Sequence, residues 1–77
     1  MNVEILTADK SLYTGEVDMA TFPGADGSFG VLNNHAPMIA SLKAGTIILK
    51  SGQQEEKIEV KGGVVEVLHS KVIVLAE

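Results

Sequence analysis

The chain has 77 residues, room for one small domain and not for a catalytic or regulatory domain beside it. Ten acidic and six basic residues give a formal charge of −4 with no long run of either sign, which excludes the basic footprint of a nucleic-acid binder. There is no cysteine, so disulfide staples and thiolate metal sites are excluded, and no apolar run approaches the roughly 18 residues of a membrane span.

Apolar residues make up 45% of the chain but aromatic ones only 4%, so the core must rest on Val, Ile, Leu, Met and Ala, a strand-forming vocabulary. They recur at every second position or in short runs, and nowhere hold the i, i+3, i+4, i+7 stripe of a helix. The opening Met1-Asn2-Val3-Glu4 lacks the basic region of a signal peptide, and a first strand is expected at 3–6. A short strand at 12–13 precedes Gly15, and another is expected at 17–22. Turn formers cluster over 23–28, after which 29–32 and 38–42 read as extended on either side of Asn33 and Asn34, which tolerate left-handed backbone. The steps Phe22-Pro23 and Ala36-Pro37 hold the residue before each proline away from helix. Ala44-Gly45 reads as a turn, 46–50 as a strand, and Ser51-Gly52 as a tight link into 53–60. Lys61-Gly62-Gly63 should break that strand, leaving 64–68 and 72–76 as a final hairpin joined through His69, Ser70 and Lys71. About nine short strands with frequent turns predict an all-β sandwich or flattened barrel, a single domain over 1–77.

A sheet with one wet face should alternate apolar and polar residues, as Lys57-Ile58-Glu59-Val60 does. Ile47-Ile48-Leu49, Val64-Val65 with Val67-Leu68, and Val72-Ile73-Val74-Leu75 are instead apolar on both faces. Either sheet edges fold over one another there or a partner covers the second face.

The glycine-rich stretch Gly24-Ala25-Asp26-Gly27-Ser28-Phe29-Gly30 invites comparison with a phosphate loop, but no Gly-Lys-Ser/Thr follows, no helix begins there, and Asp26 would repel phosphate. It reads as a turn needing positive φ, and no nucleotide binding is expected. His35 and His69 could serve as a base or as metal ligands with Asp26, Ser28 or Glu66, yet no ligand spacing ties them together, and a lone histidine beside a turn is usually structural or interfacial. Glu55-Glu56 beside Lys57 reads as a charged strand edge that discourages edge pairing. No catalytic residue, cofactor or metal is expected.

Several motifs follow one another in a fixed order: Pro23-Gly24, Gly27-Ser28-Phe29-Gly30, Val31-Leu32, His35-Ala36-Pro37 and Leu42-Lys43-Ala44-Gly45. With Leu12-Tyr13-Thr14-Gly15-Glu16-Val17 before them and Gly62-Gly63-Val64-Val65-Glu66-Val67 after them, the chain resembles, over nearly its whole length, the epsilon subunits of bacterial F-type ATP synthases. The resemblance implies a sandwich of about ten short, mostly antiparallel strands. It implies a non-catalytic central-stalk subunit that packs on the gamma subunit, touches the c-ring, and couples proton flow to ATP synthesis. Such a subunit is peripheral, held at the cytoplasmic face of the cell membrane by the complex. Carried over position by position, the gamma contacts are Thr7, His35, Ala36, Ala40 and Lys61, and the c-ring contact loop is Asp26, Gly27, Ser28 and Phe29. Many relatives carry glutamate where Ser28 stands and glycine where Asn34 stands, so Asp26 is the carboxylate left to substitute in that loop. Most family members continue into two C-terminal helices that can block ATP hydrolysis, whereas this sequence stops as its last expected strand ends. Two other readings are a free-standing sandwich that binds another protein and a small enzyme built on His35.

Overall fold

Alternating burial builds seven strands in a computed structural model that describes residues 1–77: β1 (Asn2–Leu6), β2 (Ser11–Glu16), β3 (Met19–Phe22), β4 (Phe29–Leu32), β5 (Met38–Ser51), β6 (Gln54–Val67) and β7 (Lys71–Ala76). They form one hydrogen-bonded sheet in the order β2-β1-β7-β6-β5-β3-β4. Every neighbouring pair is antiparallel except β1 and β7, which run parallel with Val3 beside Val72 and Ile5 beside Val74. There is no helix, and so none long and apolar enough to cross a membrane.

The single sheet becomes a sandwich because β5 and β6 are each 14 residues long and serve both layers. Residues 38–43 of β5 and 62–67 of β6 join β7, β1 and β2 in layer one. Residues 45–51 and 54–60 join β3 and β4 in layer two. The ladder between the long strands runs from Met38 opposite Val67 to Ser51 opposite Gln54, and only Ala44 and Lys61 drop out of it, at the bend. Gly62 and Gly63 make the bend with φ of 148° and 141°, a region L side chains rarely adopt. A Cβ at Gly63 would also run into the carbonyl oxygen of Leu75 as β7 passes. On the facing strand, a Cβ at Gly45 would lie 2.7 Å from Cβ of Pro23, so the small residue lets β5 turn closely under the end of β3.

The expected turn at Ala44-Gly45 and the expected break at Lys61-Gly62-Gly63 are therefore bends inside continuous strands, and nine or ten short strands become seven. Backbone pairing carries the chain through: Lys61 N–H donates to Glu77 O at 3.2 Å and Glu77 N–H to Gly62 O at 3.0 Å. The link at Ser51-Gly52 is a tight hairpin as expected, with Gly52 at φ 62°, and Asn34 adopts the left-handed backbone at φ 64°.

Fourteen buried apolar residues from both layers form one cluster, and no polar side chain is buried. Val3, Ile5, Val65, Val67, Val72 and Val74 come from layer one, and Ala20, Phe22, Val31, Ile47 and Leu49 from layer two. Phe22 is the largest fully buried side chain, and its ring lies 5.6 Å from that of Phe29. With so few aromatics, the inward positions of β-branched strands supply most of the apolar area that holds the layers together.

Candidate protein-binding site

The outward positions of layer one follow from its register. One row across the strands is Ile39, Glu66, Ile73 and Glu4; the next is Ser41, Val64, Leu75 and Leu6. Ile39 is 71% exposed, Leu75 59%, Val64 42% and Leu68 39%, so four large apolar side chains stand in water on this one face. Glu66 lies among them, and Glu4, 3.6 Å from Nζ of Lys71, sits at the far side. Of the strands that read as apolar on both faces, Ile48 and Ile73 are half-buried while Val64, Leu68 and Leu75 remain exposed. The outer face of layer two is different, with Glu55 paired to Lys50 at 3.8 Å and to Lys57 at 3.7 Å.

The residues assigned to gamma contact fall into two groups. His35 and Ala36 lie just before β5, at the end of layer one where Leu68 and Lys71 also lie; His35 is half-buried, its Nδ1 2.7 Å from Ala36 O. Thr7 and Lys61 lie at the opposite end, beside Ala76 and Glu77, separated from the first group by roughly 15 Å of strand. Thr7 shapes its own turn: its Oγ1 accepts from the Asp9 and Lys10 amides at 3.4 and 3.2 Å and donates to Lys10 O at 3.2 Å. Ala40 sits between the two groups, half-buried and packed against the core cluster opposite Val65, not on the same face as Ile39.

In the glycine-rich loop, Asp26, Gly27 and Ser28 are exposed at the tip, which Gly27 N–H closes onto Gly24 O at 3.0 Å. Phe29 anchors the loop against Phe22. Between this loop and β5 opens a cavity of about 510 Å³, where Asp26, Gly27 and Phe29 share a wall with Met38, Ile39 and Ala40. Residues assigned to two different partners, Ala40 for gamma and Asp26, Gly27 and Phe29 for the c-ring, thus line one space, whereas Ser28 does not.

Sequence reasoning missed Ile39, which passed as one residue of an ordinary strand; the apolar pair Met38-Ile39 ahead of an alternating stretch was its only signal. It also missed the free edge there. Residues 48–50 of β5 pair with β3, and residues 41–43 are covered by 23–25, since Ala25 N–H donates to Ser41 O at 2.8 Å and Lys43 N–H to Pro23 O at 2.9 Å. Residues 38–40 have β6 on one side and no strand on the other. No group of three or more His, Cys, Asp or Glu side chains gathers anywhere on the surface. What the arrangement offers is apolar area, an open strand edge and scattered carboxylates, the means of binding a protein.

The β-sandwich domain of ATP synthase delta/epsilon chains is the family description that matches residues 1–77. The ATP synthase epsilon chain of Leptospira borgpetersenii serovar Hardjo-bovis is 40% identical over 77 residues, covering 100% of this chain and 61% of that protein. That of Caulobacter vibrioides is 36% identical over 77 residues, covering 100% of this chain and 90% of that protein. The chain spans about three fifths of the length of several curated relatives it matches, as the 61% and 57% covered in Leptospira and Desulforamulus reducens illustrate. Among solved structures, a chain in the mitochondrial ATP synthase of Euglena gracilis superposes with a TM-score of 0.89 at 19% identity, over 96% of this chain and 48% of that one. A chain of the central stalk/c-ring assembly from Tetrahymena thermophila gives 0.75 at 16% identity, over 96% of this chain and 62% of that one. At those identities the likeness speaks for the fold alone.

Proposed function

This chain belongs to the β-sandwich family of ATP synthase delta/epsilon chains, and from that premise we propose that it is a non-catalytic part of the central stalk of a proton-translocating F-type synthase. In this reading it binds the gamma subunit through layer one, with His35 and Ala36 at one end, Thr7 and Lys61 at the other and Ala40 between them. The loop Asp26, Gly27, Ser28 and Phe29 faces the c-ring. The protein is peripheral, held at the cytoplasmic face of the membrane by its partners.

The observation that carries the reading is the outer face of layer one, where Ile39, Val64, Leu68 and Leu75 stay exposed together, whereas layer two leaves the single large apolar side chain of Leu32 exposed and sets charged pairs on its outer face. Exposed apolar area of that kind is retained where a partner removes it from water. A torque-bearing part must also move as one body. Here β5 and β6 cross from one layer to the other without a break, so a force on the loop at residues 24–29 reaches layer one through covalent strands and a close-packed core rather than through a hinge.

The test is to add the chain to a synthase stripped of its own epsilon chain, and to a gamma subunit alone. Co-purification with gamma and recovery of ATP-driven proton pumping are expected. Failure of the folded chain to bind gamma would overturn the proposal.

A further inference from the structure

Ile39 is the most exposed of the large apolar residues, and it lies at the centre of the one stretch of β5 that has no neighbour on its free side. On that side Ser41 accepts from Ala25 and Lys43 donates to Pro23. Backbone groups along a strand point to alternate sides with a period of two, so the N–H and C=O of Ile39 face the same way and continue that line of hydrogen bonding into solvent. Pro37 brings no N–H, which limits the open edge to residues 38–40.

Other free edges of the sheet lack this setting. β2 exposes Ser11, Thr14 and Glu16, and β4 exposes Gly30 and Leu32. The edge at Ile39 is flanked by two cavities. One is the space of about 510 Å³ bounded by Phe29, Met38 and Ala40; the other, of about 360 Å³, is bounded by Pro37, Val67 and Leu68. Ile39 lines both, and each carries a single charged side chain, Asp26 in the first and Glu66 in the second.

We propose that this edge receives a short extended segment of the stalk partner, hydrogen-bonded to Ile39 as an added strand, with apolar side chains seated in the two cavities and basic ones set against Asp26 and Glu66. The proposal rests on the central-stalk reading and specifies how the gamma subunit would be held. Main-chain pairing supplies affinity in such a mode and alternate pockets supply selectivity. The acidic residues decide against a second copy of this chain, since pairing two copies edge to edge at Ile39 would bring both sets of carboxylates together.

The experiment compares binding of the gamma subunit by the wild-type chain and by Ile39→Pro, Ile39→Ala and the double variant Asp26→Lys/Glu66→Lys, and follows amide hydrogen exchange of the wild-type chain in the complex. Ile39→Pro deletes an N–H that no part of the chain uses, and edge strands accept proline. The expected results are slowing of exchange at the Ile39 amide by tenfold or more and weakening of binding by about 30-fold in Ile39→Pro. Ile39→Ala, which keeps the N–H, should lose only about 3-fold to 5-fold, and the charge reversal about tenfold. The exchange measurement needs no variant, so it stands even if Ile39→Pro misfolds. Unchanged exchange at Ile39 with normal binding by wild type would overturn the strand-addition proposal and leave the stalk reading intact. No binding by the folded wild-type chain would overturn both. Self-association of the chain that Ile39→Pro abolishes would replace the partner segment with a second copy.

Discussion

The two halves of the β5–β6 hairpin share a register and a core but differ in their outer faces. In layer two, Thr46, Ile48 and Lys50 stand opposite Glu59, Lys57 and Glu55, and Glu55 pairs with Lys50 across the strands and with Lys57 along its own. In layer one, Ile39 and Ser41 stand opposite Glu66 and Val64, and the apolar residues are left in water. The inward positions of both halves feed the same cluster, Leu42, Val65 and Val67 from one and Ile47, Leu49 and Val60 from the other. Folding thus constrains the two inner faces alike and leaves the outer faces free to differ. Layer two carries charged pairs on its exterior, whereas layer one carries contiguous apolar area of the kind that suits a partner.

The comparison depends on the bend that separates the halves, so the largest effect is expected from Gly63→Val. Forcing a β-branched residue to φ 141° against the Leu75 carbonyl should cost about 3 kcal/mol or more. For a domain whose total stability is of the order of 5 kcal/mol, urea titration followed by circular dichroism should find the variant largely unfolded or close to it. A normal midpoint would mean that the bend is not where the two halves divide.

Ala40→Glu comes next. It places a carboxylate against the core cluster, in the cavity that Asp26 lines, and should lower stability by about 2 kcal/mol in the same titration. Loss of gamma binding at an unchanged midpoint would mean that Ala40 serves the interface alone and adds nothing to the core.

Leu75→Lys gives layer one an exterior like that of layer two. Because Leu75 is already exposed, stability should shift by no more than about 0.5 kcal/mol, while affinity for gamma falls about tenfold by calorimetry. Equal affinity would remove the apolar face from the interface. The smallest effect belongs to Glu55→Gln, which breaks an exposed ion-pair network worth under about 0.5 kcal/mol and should leave gamma binding alone. A change in binding there would bring layer two into the contact.

Strand positions and core parity were legible because alternation such as Lys57-Ile58-Glu59-Val60 reports burial directly. The joining of four expected strands into two long ones was not, because Ala44-Gly45 and Gly62-Gly63 have the same composition whether the chain reverses or bends. Which of the two happens depends on partners far along the chain, Pro23 beside Gly45 and Glu77 beside Lys61 and Gly62. The same holds for the candidate site. The resemblance supplied Ala40 and the loop at residues 26–29 as separate contacts, and the pairing of residues 23–25 with 41–43 around the Gly24–Leu42 bridge brings them to one cavity. Thr7 and His35 were assigned to one surface, yet strand direction sets them at opposite ends of layer one.

The parallel pairing of β1 with β7 also sets a schedule for biosynthesis. β2 pairs with β1 alone, and β1 reaches the rest of the sheet only through β7, with Asn2 beside Lys71. Until Lys71–Ala76 has emerged from the ribosome, the first two strands lack the sheet edge they pair with, and Val65 and Val67 of β6 lack their neighbours Val74 and Val72. A nascent chain stalled after β6 would therefore carry an open sheet edge and a bare valine face, the kind of surface that chaperones engage. Pairing Val3 with Val72 joins the two ends of the 77 residues, a contact of high sequence separation that slows folding.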